Sequence, residues 1–152
     1  MKFPPNYQPY LDAYALKYHF PKLNEGVNFK FTSLGTDVYN CVAWASEITD
    51  DWTQEYDSNG NLLLDAISYI DYFKRIGFKI TDNRSIEKNK IKIAVYISTH
   101  NIQHDFKHVA RMLPNGKWTS KLGDWEDIEH DTPELLTGNS YGNKIIIMER
   151  II

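Results

Sequence analysis

One cysteine and five histidines are the side chains of this sequence best suited to nucleophilic chemistry. Cys41 stands in TDVYNCVAWAS, where a turn-forming segment gives way to a short apolar run that reads as the start of a buried helix. A helix start offers unpaired N–H groups and a positive dipole end, and both favour thiolate over thiol. A thiol nucleophile also needs a base within hydrogen-bond reach, and the base needs an orienting partner. His108 is the best placed of the five. It opens a strand with Ala110 and Met112 on the same face, so its ring is expected to point towards the apolar layer that carries the Cys41 helix. Against this stand two structural readings: a free cysteine packing as a small hydrophobe, and a hydrogen-bonded core histidine.

Other clusters offer less. His100, His104 and His108 recur every four residues, and with Asp105 and His130 they could be taken for metal ligands, but THNIQHDFKHV reads as a polar loop leading into a strand. With one cysteine and neither CxxC nor HExxH present, no metal or cofactor is expected. Neither GxGxxG nor GxSxG occurs, which leaves no phosphate loop and no serine elbow.

The elements that would position the pair follow from periodicity. Tyr10, Tyr14 and Tyr18 with Leu11, Ala15 and Leu16 suggest one short helix, and Phe29 and Phe31 alternate as in a strand. Thr36 or Asp37 is a candidate cap for the Cys41 helix. DDWTQEYDSNGN reads as a polar loop with a turn at Asn59-Gly60. From Leu62 to Ile76 the apolar residues Leu63, Ala66, Ile67, Ile70, Phe73 and Ile76 predict an amphipathic helix, with Gly77 at its C-terminal cap. FKI and IKIAVYIS are strands, and Asn115-Gly116 predicts a hairpin between Lys107–Leu113 and Lys117–Leu122. DWEDIEHDT is expected to be a loop, Thr132-Pro133-Glu134 a helical turn, and NKIIIMERII a last strand. Helices followed by a mainly antiparallel sheet make an α+β layout in a single domain over residues 1–152.

Composition narrows the partners. A net charge of −3 gives no long-range pull towards phosphate backbones or anionic lipid, so neither nucleic acid nor a membrane is expected as a partner. The lone cysteine excludes an intrachain disulfide and fits a reducing compartment. MKFPPNYQPYLDAYALKYHF lacks the apolar core of a secretory signal, so a cytoplasmic location, or delivery by a signal-independent route, is expected. Ten tyrosines and four tryptophans suit a well-filled core or an aromatic groove.

A cysteine opening a helix, followed by a histidine opening a hairpin, resembles the papain-like superfamily, and most closely its compact NlpC-type branch. HVARMLPNGKWTSKLG matches that branch's strand, turn and return strand, and CVAWA is similar to the Cys-x-x-Trp-Ala of papain through Trp44. The order YNCVAWA, HVARMLPNGKWTSKLG, EDIEHDT and a final YG also resembles an uncharacterised bacterial family over nearly the whole chain. The resemblance implies helices packed on one mainly antiparallel sheet. It also implies a thiol hydrolase or acyltransferase acting on an amide or related acyl bond, whether as peptidase, amidase, deamidase or toxin-type effector. Peptide, protein or another amide-bearing molecule would be the substrate.

By the NlpC-type spacing the orienting residue falls at Ser120, where histidine, asparagine or glutamine is the norm. By chemistry a carboxylate orients better, and Asp127 in the following loop would fold back to the imidazole, with Asp124 and Glu129 as neighbours. Lys121 would place a charge near the site. The Cys41 N–H, with Tyr39 or Asn40, would face the developing oxyanion. The alternative is a non-enzymatic binding module of the same fold in which Cys41 is structural.

Overall fold

The computed structural model describes residues 1–152. Seven strands form one sheet whose ladders are all antiparallel: β1 (Phe29–Ser33), β4 (Lys79–Ile80), β5 (Lys90–Ile97), β6 (Phe106–Met112), β7 (Trp118–Lys121), β8 (Asp127–His130) and β9 (Lys144–Ile151). Their order is β1-β8-β7-β6-β5-β9-β4, and β2 (Glu55–Tyr56) with β3 (Leu62–Leu63) makes a separate ribbon. The helices are few: α1 (Ala13–His19), α2 (Cys41–Ala45) and α3 (Ala66–Arg75), with a 3-10 turn at Pro133–Leu136. The fold is thus mixed α and β with a mainly antiparallel sheet, and no helix is long and apolar enough to cross a membrane.

The sheet is covered on both faces, which is why β5 reads as a continuous apolar run instead of an alternating one. Ile93, Val95 and Ile97 face α2 and α3, meeting Val42, Ala45, Tyr69 and Phe73. Ala94 and Tyr96 face the opposite layer, where the N-terminal segment and α1 supply Leu11, Ala15 and Phe20.

Two segments depart from the sequence expectation. DIEH is the strand β8, wedged between β1 and β7, because Ile128 is fully buried against the α1 layer while the flanking residues complete two ladders. The helix expected from Leu62 begins at Ala66, since Leu62 and Leu63 pair with Tyr56 and Glu55 and Asp65 caps the Ser68 N–H at 3.1 Å. The Asn59-Gly60 turn therefore sits inside a hairpin.

Polar side chains lock the far edge of the sheet. Lys92 is fully buried and donates to Glu149 at 3.0 Å and Glu87 at 2.6 Å, and Lys90 donates to Glu149 at 2.9 Å. Hydrogen bonds from Lys90 and Lys92 hold the Glu149 carboxyl down to about 2. A carboxylate so depressed contributes stability above its unfolded value of about 4.3 and loses it as pH falls towards the folded one. Glu149→Gln is therefore expected to destabilise the protein more at pH 7 than at pH 3 in denaturant titrations; an equal effect at both would contradict the assignment.

Gly142 fixes the chain next to the site. Its φ is +79°, and a Cβ there would run into the Ile97 carbonyl and Ser98. Gly142→Ala is expected to cost about 2–4 kcal/mol in chemical denaturation, from left-handed strain plus overlap.

Candidate active site

Cys41 is the first residue of α2, and Asn40 caps the helix, its Oδ1 accepting from the Ala43 N–H at 3.0 Å and the Thr53 N–H at 3.2 Å. Asn40 Nδ2 donates to the Thr53 carbonyl at 2.7 Å, so this residue, not Thr36 or Asp37, terminates the loop. Trp44 Nε1 donates to Thr119 Oγ1 at 3.0 Å and its ring lies under the Arg111 guanidinium, which seats α2 on β6 and β7.

Cys41 packs against the α3 layer. Burial pushes its thiol up to about 11, opposed by the main chain of Val109, Val42 and Cys41 itself and by the charge of Lys121. The resting sulfur is thus a thiol, not the thiolate expected from a helix start. α2 has only five residues, so local N–H groups, not a long dipole, are all that favour the anion.

His108 is 1% exposed, and its Nε2 lies 2.9 Å from Ser120 Oγ. Ser120 Oγ lies in turn 2.7 Å from Nε2 of His130, whose Nδ1 is 2.9 Å from the Thr132 carbonyl. Tyr141 stacks on the His108 ring at 4.4 Å and 9°. His108 Nδ1 makes no hydrogen bond. Burial, then the neighbouring His130, drives the His108 imidazole well below its ordinary value, and burial lowers His130 to about 4. Both rings are neutral at pH 7.

The ring of His108 does not point towards the α2 layer, as the sequence had suggested. It lies with Tyr96, Ser120 and Tyr141 on the α1 side of the sheet. His108 shares its face with Ala110, as expected, but α1 and the N-terminal segment cover that face, while α2 and α3 cover the face of Val109. Ile97 pairs with Phe106 and Tyr96 with His108, so Lys107 is an extra residue. The extra residue turns Phe106, not His108, to the other face, where it stacks on Tyr69 in the α3 layer. Cys41 and His108 therefore approach the same stretch of β6 from its two sides, the thiol against Val109 and the imidazole on the residue before it. There the β6–β7 ladder has already ended, at Arg111–Thr119, leaving the His108–Ser120 bond to join the strands. No hydrogen bond links the thiol to the imidazole.

Asp127 does not orient His108. As a strand residue paired with Lys121 and Ser33, it sits on the α2 side and accepts from the Tyr39 hydroxyl at 2.8 Å. Its other oxygen, Oδ1, is buried without a partner, and burial raises its carboxyl. Tyr39, whose phenol is pushed up to about 12 by burial and then by Asp127, stacks on Trp44 at 5.5 Å and lies under Lys121 Nζ at 5.4 Å. Lys121 is fully buried and donates to the carbonyls of Thr36, Gly123 and Trp125. Tyr39, Cys41, Trp44, Lys121 and Asp127 thus gather on one side of the sheet, and His108 with Ser120 on the other.

His130 was the residue that sequence reasoning missed as a partner of His108. The signal was present: read as a strand, DIEH puts Ile128 and His130 on one face, opposite Ser120 and Trp118. The exposed loop residues His100 and His104 join no cluster of metal-ligating side chains.

Comparison with curated proteins and with solved structures finds no match to the chain. A family model matches residues 30–149, which spans the site from β1 to β9, and by that match the chain belongs to the family described as Domain of unknown function (DUF7689).

Proposed function

We propose that the protein is a thiol hydrolase or acyltransferase of papain-like, NlpC-type character, acting on an amide or related acyl bond of a peptide, protein or other amide-bearing substrate. One observation carries the reading: His108 is held at Nε2 by Ser120 while Nδ1 stays unbonded, and the next residue, Val109, is the one whose main chain approaches Cys41. A base anchored at one nitrogen and free at the other, one residue along β6 from the main chain that the only thiol meets, is the minimum a neutral thiol needs to become a nucleophile.

The chemistry balances with these groups. As Cys41 sulfur attacks the acyl carbon, its proton passes to His108 Nδ1, and the carbonyl oxygen takes the electron pair. The Cys41 and Val42 amides at the helix start are the nearby donors for that oxygen. Collapse breaks the bond to the leaving group, which receives the proton from His108. Water, deprotonated by the same nitrogen, then attacks the thioester carbon, and the C–S bond breaks as the sulfur takes that proton back, releasing the acid. The thiol must turn from Val109 towards Nδ1, or pass its proton through one water, for the first step.

The opposing observation is the raised, half-buried thiol, which favours the non-enzymatic reading in which Cys41 is packing. Incubation with p-nitrophenyl acetate and intact-mass analysis separates the two. The hydrolase forms an acetyl adduct on Cys41, lost in Cys41→Ser. Native protein that carries no adduct on Cys41 overturns the proposal.

A further inference from the structure

We infer that His130 is a positioning residue that acts through Ser120 to fix which nitrogen of His108 carries the proton, leaving Nδ1 as the nitrogen with the free lone pair. The inference rests on the thiol-hydrolase reading for its use, but its structural content stands on four groups in a row.

The chain of protons starts at a carbonyl. The Thr132 oxygen can only accept, so His130 Nδ1, 2.9 Å away, must be the N–H. His130 is fully buried, and burial keeps it neutral at pH 7, so a proton on Nδ1 leaves Nε2 as an acceptor. The only hydrogen within reach of Nε2 is that of Ser120, whose Oγ is 2.7 Å away. Ser120 has one O–H, and once it is given to His130 the oxygen can only accept from His108 Nε2 at 2.9 Å. His108 is also buried and neutral, so with the proton on Nε2 its Nδ1 is bare.

Each link is held by the fold. Thr132 precedes the 3-10 turn begun by Pro133, and its carbonyl, two residues beyond His130, also accepts from the Leu135 N–H of that turn at 3.4 Å. Ser120 is fully buried, paired with Ile128 across the β7–β8 ladder. Tyr141 stacked on the imidazole blocks a ring flip that would exchange the two nitrogens. When His108 accepts the Cys41 proton, the same row answers the new charge, since Nε2–H then donates to a hydroxyl already polarised by His130. This explains why a serine can stand where an amide or imidazole would orient the base directly: the imidazole is present, one hydroxyl further away.

Two measurements test it. In long-range 1H–15N spectra of the intact protein at pH 7, His130 is expected as the Nδ1–H tautomer and His108 as Nε2–H. Either ring in the opposite tautomer overturns the inference, whether or not any variant folds. In variants, His130→Leu removes the acceptor for the Ser120 hydroxyl and His130→Gln restores one. Alkylation of Cys41 by iodoacetamide at pH 7 is expected to fall about tenfold in His130→Leu and in Ser120→Ala. It should recover to within about twofold of the native rate in His130→Gln, and the double variant should be no slower than Ser120→Ala alone. A folded His130→Leu protein that reacts at the native rate overturns the positioning role. If Cys41 of the native protein is inert while both tautomers are as assigned, the thiol-hydrolase reading fails and the proton assignment stands.

Discussion

Replacing His108 by glutamine is expected to slow the alkylation of Cys41 by iodoacetamide at pH 7 by about 100-fold. The size of the effect follows from the resting state of the sulfur. With burial holding the thiol at about 11, only about one molecule in 10⁴ carries the thiolate at pH 7. A neutral imidazole that takes the proton as the new bond forms removes the need for that rare species, and glutamine cannot take it. Glutamine keeps a polar group for Ser120, so β6 and β7 remain joined at the point where their ladder has ended. A His108→Gln protein alkylated at the native rate would show that the imidazole and the thiol do not communicate across β6. Cys41 would then be packing for α2.

Removing the Glu126 carboxylate is expected to be the most damaging polar truncation for stability, with Glu126→Ala costing about 3–5 kcal/mol. Glu126 is fully buried in the turn between β7 and β8 and gathers the N-terminal segment onto it. The Tyr7 hydroxyl donates to it at 2.5 Å, the Tyr10 N–H at 3.0 Å and the Leu11 N–H at 2.9 Å. Hydrogen bonds to an ionised group contribute about 1.5–3 kcal/mol each, and a buried donor left without a partner adds a further penalty. Leu11, 1% exposed, is where that penalty falls hardest. The same turn supplies the Gly123 and Trp125 carbonyls that hold Lys121, so the loss should also loosen the α2 side of the site. Urea titration checks the magnitude, and limited proteolysis should show the first cut before α1. A change below about 1 kcal/mol would contradict this role.

The parts of the fold that read directly from the sequence are those where one periodicity governs a whole element. β5, the β6–β7 hairpin, β9 and the stripe of α3 through Ala66, Ile70 and Phe73 are of this kind. What did not read was set by single residues or by distant partners. DIEH has the length of a loop and the charge of one, and becomes a strand because β1, some hundred positions earlier, closes on its free edge. Lys107 is the sharper case. One bulged residue, with no glycine or proline to announce it, puts Phe106 and His108 on opposite faces, and the face of His108 is then covered by the distant α1 segment.

The site divides along the same line. The start of the Cys41 helix was legible from turn chemistry, though its cap is Asn40 instead of Thr36 or Asp37, and the place of Ser120 near His108 followed from the resemblance. Asp127 as the orienting group was not, because its selection rested on chemical suitability while its face was decided by pairing with Lys121. His130 lay hidden for the complementary reason: inside a presumed loop it had no face at all.

The central claim, that His108 takes the proton of Cys41, is tested most directly by the pH dependence of alkylation in the native protein. A thiol that must ionise unaided, with its value near 11, gives a rate that rises tenfold per pH unit from 6 to 8. Proton transfer to a buried neutral imidazole gives a rate nearly independent of pH across that range, with the tenfold rise appearing only in His108→Gln. A native profile with the full tenfold slope would contradict the account.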